Sequence, residues 1–167
     1  MSSSASAISS IDRRVSSRSF GLYLVMTEPV AGYDRCTAAA VEAQVAYVQL
    51  RAKERPRSEV IAVGRRLRAI TAGTSTRLIV NDDVVAAAEI DADGVHLGQD
   101  DMSLTEARAV WGTSGKTFGL STHNEAQARA AQALSPDYIG VGPVFATPSK
   151  AIADPVLGPA RVGAIVR

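Results

Sequence analysis

The sequence predicts an α/β protein built on a parallel sheet of six strands. Three observations carry that prediction. From Phe20 onward, short β-branched or aromatic runs alternate with helical stretches at intervals of roughly 20–30 residues, the rhythm of strand–helix units. Hydrophobic residues make up 46% of the 167 residues and aromatic ones only 5%, a balance that suits strands buried between helices. Six such units occur, enough for an open doubly wound sheet; a closed barrel of this type needs eight strands and typically about 200–250 residues.

The elements follow in order. "FGLYLVMT" reads as a buried strand closed by the turn-rich "EPVAGYD". "RCTAAAVEAQVA" is Ala-rich and helical, and "YVQL" is a short second strand. "SEVIAVGRRLRAITAG" places Val60, Val63, Leu67 and Ile70 at helical spacing, with Ser58 as N-cap and Gly73 as stop. "TRLIV" is a third strand and "DVVAAAEI" a short helix whose N-terminus Asp83 suits by charge. "DGVHL" is a fourth strand; "SLTEARAVW" follows with a capping box of Ser103 and Glu106. "KTFGLS" and "NEAQARAAQAL" form the fifth unit, and "DYIGVG" with "LGPARVGAIV" the sixth.

Bulk properties narrow the function. A net charge of +1 gives no global field for nucleic acid or an anionic membrane. Apolar runs stay below the roughly 18–20 residues of a membrane span. Cys36 is the only cysteine, so an internal disulfide and a Cys-based zinc cluster are both ruled out. A reducing, cytoplasmic setting is expected. Residues 1–19 are Ser-rich without the apolar centre of a secretory signal, and they read as a disordered tail ahead of a domain spanning 20–167. The sequence carries no Gly-x-Gly-x-x-Gly after the first strand, no Gly-x-x-x-x-Gly-Lys loop and no Gly-x-Ser-x-Gly elbow.

Polar residues gather where strands end. Thr27 and Glu28 close the first strand; Gln49, Arg51 and Lys53 run through the end of the second; Asn81 and Asp82 close the third. His96, Gln99, Asp100 and Asp101 follow the fourth, Ser121, Thr122 and His123 the fifth, and Thr147, Ser149 and Lys150 the sixth. In parallel α/β proteins all strand C-termini share one face, and sites form there.

Neighbouring strands lie about 4.8 Å apart, so Asp82 and Asp101 are positioned to share a cation. Oxygen ligands favour Mg²⁺, which commonly takes one or two carboxylates plus substrate phosphates. Arg51, Lys53 and Lys150 then suit a polyanion such as a diphosphate. Solvated loop charge is the competing reading for each residue alone, and it prevails for Glu89 and Asp91, before the fourth strand. His96, between Val95 and Leu97, reads as a hydrogen-bonded core histidine. His123 is better placed for a phosphate contact or proton transfer.

The segments "VQLRAK", "VNDD", "ADGVHLGQDD", "FGLSTHN" and "DYIGVGPVFATPSK" follow one another in the order and spacing of the thiamine phosphate synthase family, which this chain resembles from about Phe20 to its end. That resemblance implies a (β/α)8 TIM-barrel type of fold. It implies a transferase that joins hydroxymethylpyrimidine diphosphate to a thiazole phosphate and releases diphosphate. It also implies roles: Gln49, Arg51, Lys53 and Ser121 at the diphosphate, Asn81 near the pyrimidine, and Asp82 and Asp101 as Mg²⁺ carboxylates. Thr147 and Ser149 would hold the thiazole phosphate, and Lys150, Arg51 and Lys53 would stabilise the departing diphosphate.

Asp83 stands where the family often has Arg, and Ser149 where Thr is usual. Six units against eight imply an incomplete barrel, lacking its last two units and open to self-association through the edges of strands one and six. Two alternatives stay in view. One is a thiazole tautomerase of the same fold with His123 as its acid–base group. The other is a non-catalytic ligand-binding remnant.

Overall fold

The computed structural model describes residues 20–146 and 155–166. The Ser-rich start, and with it the tail expected over 1–19, lies outside the described residues, as do Thr147, Ser149 and Lys150.

Among the described residues six strands and six helices alternate: β1 (Tyr23–Thr27), α1 (Tyr33–Glu42), β2 (Tyr47–Arg51), α2 (Arg57–Thr71), β3 (Arg77–Asn81), α3 (Val84–Ile90), β4 (Gly94–Leu97), α4 (Leu104–Trp111), β5 (Thr117–Thr122), α5 (Glu125–Leu134), β6 (Tyr138–Val141) and α6 (Gly158–Ile165). The sheet is parallel throughout, with its strands in sequence order from β1 to β6. A doubly wound sheet reverses its strand order at a switch point; this one does not. Instead it curls. The Tyr23 hydroxyl on the first strand lies 2.7 Å from the Tyr138 hydroxyl on the last. Side chains of the two outermost strands meet only if the sheet bends into a half-barrel.

Strand alternation divides the side chains between the two faces. Leu24, Met26, Val48, Leu50, Leu78, Val80, Val95, Leu97, Phe118 and Leu120 point outward into one apolar core shared with the helices. The opposite parity lines the concave face with Tyr23, Gln49, His96, Ser121 and Tyr138. Ile79, fully buried, shares that parity and lies outside the helix-side core.

Helices pack closely on the convex side. Gly64 on α2 lies so near the Ile90 side chain that a Cβ there would overlap it. Side-chain caps mark three of the six helix starts described. Asp83 accepts from the Ala86 N–H at 2.9 Å, Asn124 accepts from Gln127 N–H at 2.8 Å, and Ser103 and Glu106 complete their capping box. One expectation fails: Ser58 is not an N-cap. α2 starts at Arg57, with Pro56 in the extended conformation before it, so Ser58 already lies inside the first turn. Pro lacks the N–H that a helix start leaves unpaired anyway, and it wins the boundary.

The rim at the strand N-termini is built for register. Asp93, just before β4, donates its backbone N–H to Leu78 O (2.9 Å) and accepts from Leu78 N–H (2.8 Å). Asp137, just before β6, does the same with Phe118, at 2.9 and 2.7 Å. Asp91, expected as solvated loop charge, is exposed but ion-paired with Lys116 (2.9 Å) and Arg68 (3.8 Å). Among the described residues, no helix is long and apolar enough to cross a membrane.

Candidate active site at the strand C-terminal rim

The opposite rim gathers the predicted polar residues. β2 ends at Arg51, and Lys53 sits in the turn beyond it rather than on an extended segment. The Arg51 guanidinium donates to Thr27 Oγ1 at the end of β1 (3.2 Å). Lys53 Nζ lies 3.1 Å from Asp82 Oδ2, just past β3. Asp82 takes a left-handed backbone with φ 64°, a conformation that Asp tolerates better than most residues and that clusters at functional sites. Its N–H donates to His96 O (2.8 Å), which fixes the turn to β4.

Asp101 comes from the loop after β4. Its Oδ2 accepts from Gly98 N–H at 2.6 Å. Burial raises its carboxyl above the usual range; the Gly98 N–H opposes this, and the nearby Asp82 carboxylate adds to the rise. The two aspartates thus lie near enough to feel each other's charge, one past β3 and one in the loop after β4. Among the described residues, no third His, Cys, Asp or Glu completes a protein-only metal cluster.

Beneath this rim lies a hydrogen-bonded floor. Gln49, 3% exposed, donates Nε2 to Tyr23 Oη (2.8 Å). Tyr138 Oη contacts Tyr23 Oη at 2.7 Å and His96 Nδ1 at 3.1 Å, and His96 Nε2 contacts Ser121 Oγ at 2.8 Å. The His96 and Tyr138 rings stack, 5.5 Å between centroids. Burial lowers His96 to about 4, with nearby Lys53 acting in the same direction against Asp101, so the ring is neutral. Burial also raises the Tyr23 phenol to about 12. His96 is thus hydrogen-bonded at both ring nitrogens, as expected, but it lines the concave face and not the helix-side core. Asn81, half-buried, pairs in register with His96 at the end of β3.

His123 is tied to its surroundings: its Nδ1 lies 2.8 Å from Gly142 O and its N–H donates to Gln127 Oε1 at 2.7 Å. Gln99 donates to Ser121 O at 2.5 Å, linking the loops after β4 and β5. Sequence reasoning passed over Tyr23 and Tyr138 as site residues. Their parity with Gln49 and Ser121 was the available signal; their meeting across the curl was not.

Fold and rim together define a class: a barrel-type α/β protein whose strand C-termini present paired carboxylates beside cations. The family model for thiamine monophosphate synthase matches residues 22–167. The chain belongs to the thiamine monophosphate synthase family. The thiamine-phosphate synthase of Halalkalibacterium halodurans is 41% identical over 143 residues, covering 83% of this chain and 67% of that protein. Its counterpart from Pelotomaculum thermopropionicum is 46% identical over 120 residues, covering 71% of this chain and 55% of the relative. The solved thiamine phosphate pyrophosphorylase from Pyrococcus furiosus matches with a TM-score of 0.73 at 29% identity, covering 88% of this chain and 69% of that one. The chain thus spans about half to two thirds of the length of its relatives.

Proposed function

We propose that the rim binds a diphosphate ester with Mg²⁺, and that the chain performs the synthase reaction named by its relatives, in which hydroxymethylpyrimidine diphosphate and a thiazole phosphate give thiamine phosphate and diphosphate. The observation that carries this reading is the convergence of Asp82 and Asp101 beside Lys53 and Arg51, above a floor of neutral hydrogen-bonding groups.

The donor set fits the metal. Two carboxylates forced together in a half-buried site favour a cation between them, and Mg²⁺ takes its remaining oxygens from phosphate and water. Bound there, it would supply charge neutralisation to the leaving diphosphate. Asp82 and Asp101 would hold it. Arg51 and Lys53 would face the diphosphate oxygens, whose charge grows as the methylene carbon–oxygen bond breaks with its electron pair on oxygen. Lys150, by the family resemblance, would join them, and Thr147 and Ser149 would hold the second phosphate. Gln49, Asn81 and the Tyr23–Tyr138–His96 floor suit a flat heteroaromatic ring. The thiazole nitrogen then forms the carbon–nitrogen bond at the methylene, and alignment of the two partners supplies much of the acceleration.

The same reading makes the described sheet part of a (β/α)8 barrel, supported by its in-order parallel strands and its curl, with β1 and β6 as the edge strands among the described residues. Those edges are the surfaces through which copies would associate. The alternative outcome is Mg²⁺-dependent binding of the pyrimidine diphosphate without turnover. A tautomerase is disfavoured, because the diphosphate-type cations and carboxylates are retained.

Incubation with both substrates and Mg²⁺, with product resolved by chromatography, separates these outcomes. Thiamine phosphate formed only with Mg²⁺ supports the synthase. Binding of inorganic diphosphate with Mg²⁺ but no product supports the ligand-binding form. Absence of any Mg²⁺-dependent diphosphate binding would sink the proposal.

A further inference from the structure

The turn that carries Lys53 is clamped by three residues that do not belong to the set assigned above. Glu28 follows β1 with a left-handed φ of 43°, an uncommon conformation for a residue other than glycine. Its N–H donates to Tyr33 Oη at 3.1 Å. Its carboxylate receives two parallel bonds from Arg55, Nε to Oε1 at 2.9 Å and Nη2 to Oε2 at 2.7 Å. The Tyr33 hydroxyl, on a side chain only 7% exposed, lies 3.1 Å from Glu28 Oε1 and 3.2 Å from Arg51 O. The Arg55 guanidinium sits 5.9 Å from the centroid of the Tyr33 ring. Arg55 N–H closes the turn on Ala52 O at 3.2 Å.

The segment from Arg51 to Arg55 is therefore pinned at both ends. Tyr33 holds the Arg51 carbonyl, and Glu28 holds the Arg55 head group. Between these anchors lies Lys53, whose long side chain must reach Asp82. Arg55 itself is neutralised by Glu28 and by Glu59 at 3.5 Å, so it is poorly suited to face an anion directly.

We propose that Glu28, Tyr33 and Arg55 are positioning residues that fix the Arg51–Arg55 segment so that Arg51 and Lys53 meet the diphosphate together. Their role rests on the diphosphate-site reading. A floppy turn leaves Lys53 with rotamer freedom that binding must remove, and pre-ordering that turn lowers the cost.

The test measures binding of inorganic diphosphate in the presence of Mg²⁺ by titration calorimetry. Arg55→Met should weaken binding about tenfold, equivalent to roughly 1.4 kcal/mol. Arg55→Lys, which keeps charge but not the two-pronged bond, should recover only part. Tyr33→Phe, a gentler change that keeps the buried ring, should weaken binding in the same direction. In a Lys53→Ala background the Arg55→Met effect should shrink, because only Arg51 is left to place. Unchanged binding in both Arg55→Met and Tyr33→Phe would overturn the inference. So would an equal loss with and without Lys53, which would make Arg55 a direct contact. Failure of the unsubstituted chain to bind would instead sink the diphosphate site and this inference with it.

Discussion

His96 gives the chain an acid-sensitive component that can be worked out in advance. The imidazole bridges Ser121 and Tyr138, and burial holds it neutral down to about pH 4. In the unfolded chain the same ring titrates near 6.5. Between those values the unfolded state binds more protons than the folded one, so stability falls as pH falls through the window and levels off below it. The difference between 6.5 and 4 corresponds to about 3 kcal/mol at full titration, most of which is lost between about pH 7.5 and pH 4.5. Urea unfolding at both pH values, in the unsubstituted chain and in His96→Gln, isolates the contribution. The glutamine retains hydrogen-bonding groups and cannot titrate, so it should lose less stability by that amount. The chain has only two histidines, so an NMR titration should show one imidazole that protonates far below the normal range. Two imidazoles titrating near 6.5, or identical acid sensitivity in both proteins, would refute the reasoning.

Asp101→Asn keeps an acceptor for the Gly98 N–H but removes the charge facing Asp82. Without metal it should melt above the unsubstituted chain at neutral pH, with the gap closing as acid protonates Asp101. With Mg²⁺ at about 100 times its dissociation constant only the unsubstituted chain should gain, by about 2.7 kcal/mol; equal gains in calorimetric melts would count against the shared metal site. Gly119→Ala puts a methyl into the Tyr138 ring and should cost about 1–3 kcal/mol in urea unfolding; a neutral effect would mean that the ring is free to move away. Asp137→Ala strips the Phe118 N–H of its carboxylate acceptor and should cost about 1–2 kcal/mol while leaving Mg²⁺–diphosphate binding unchanged, so a binding loss would show that the two rims are coupled.

The parts of this structure that were legible in the sequence are those set by local chemistry or by adjacency. Ser103 and Glu106 announce a helix start because their bonds close within four residues. Asp82 and Asp101 were readable as partners because strands three and four are neighbours. Arg51 and Lys53 were placed on the right rim, although the end of β2 at Arg51 moves Lys53 into a turn. Contacts that depend on how far the sheet bends were not readable. Tyr23 and Tyr138 are 115 positions apart, and nothing in either segment states the curvature that brings their hydroxyls together. The clamp on Arg55 escaped notice because an Arg in a charged loop looks like solvated surface until its carboxylate partner is seen.

The matched aspartates ahead of β4 and β6 have a consequence for sequence change. Each ties its strand to the preceding one from the end far from the paired carboxylates, so part of the register is set away from the reactive groups. Changes in the loops around the reactive groups should therefore cost the strand alignment less than changes at these two aspartates.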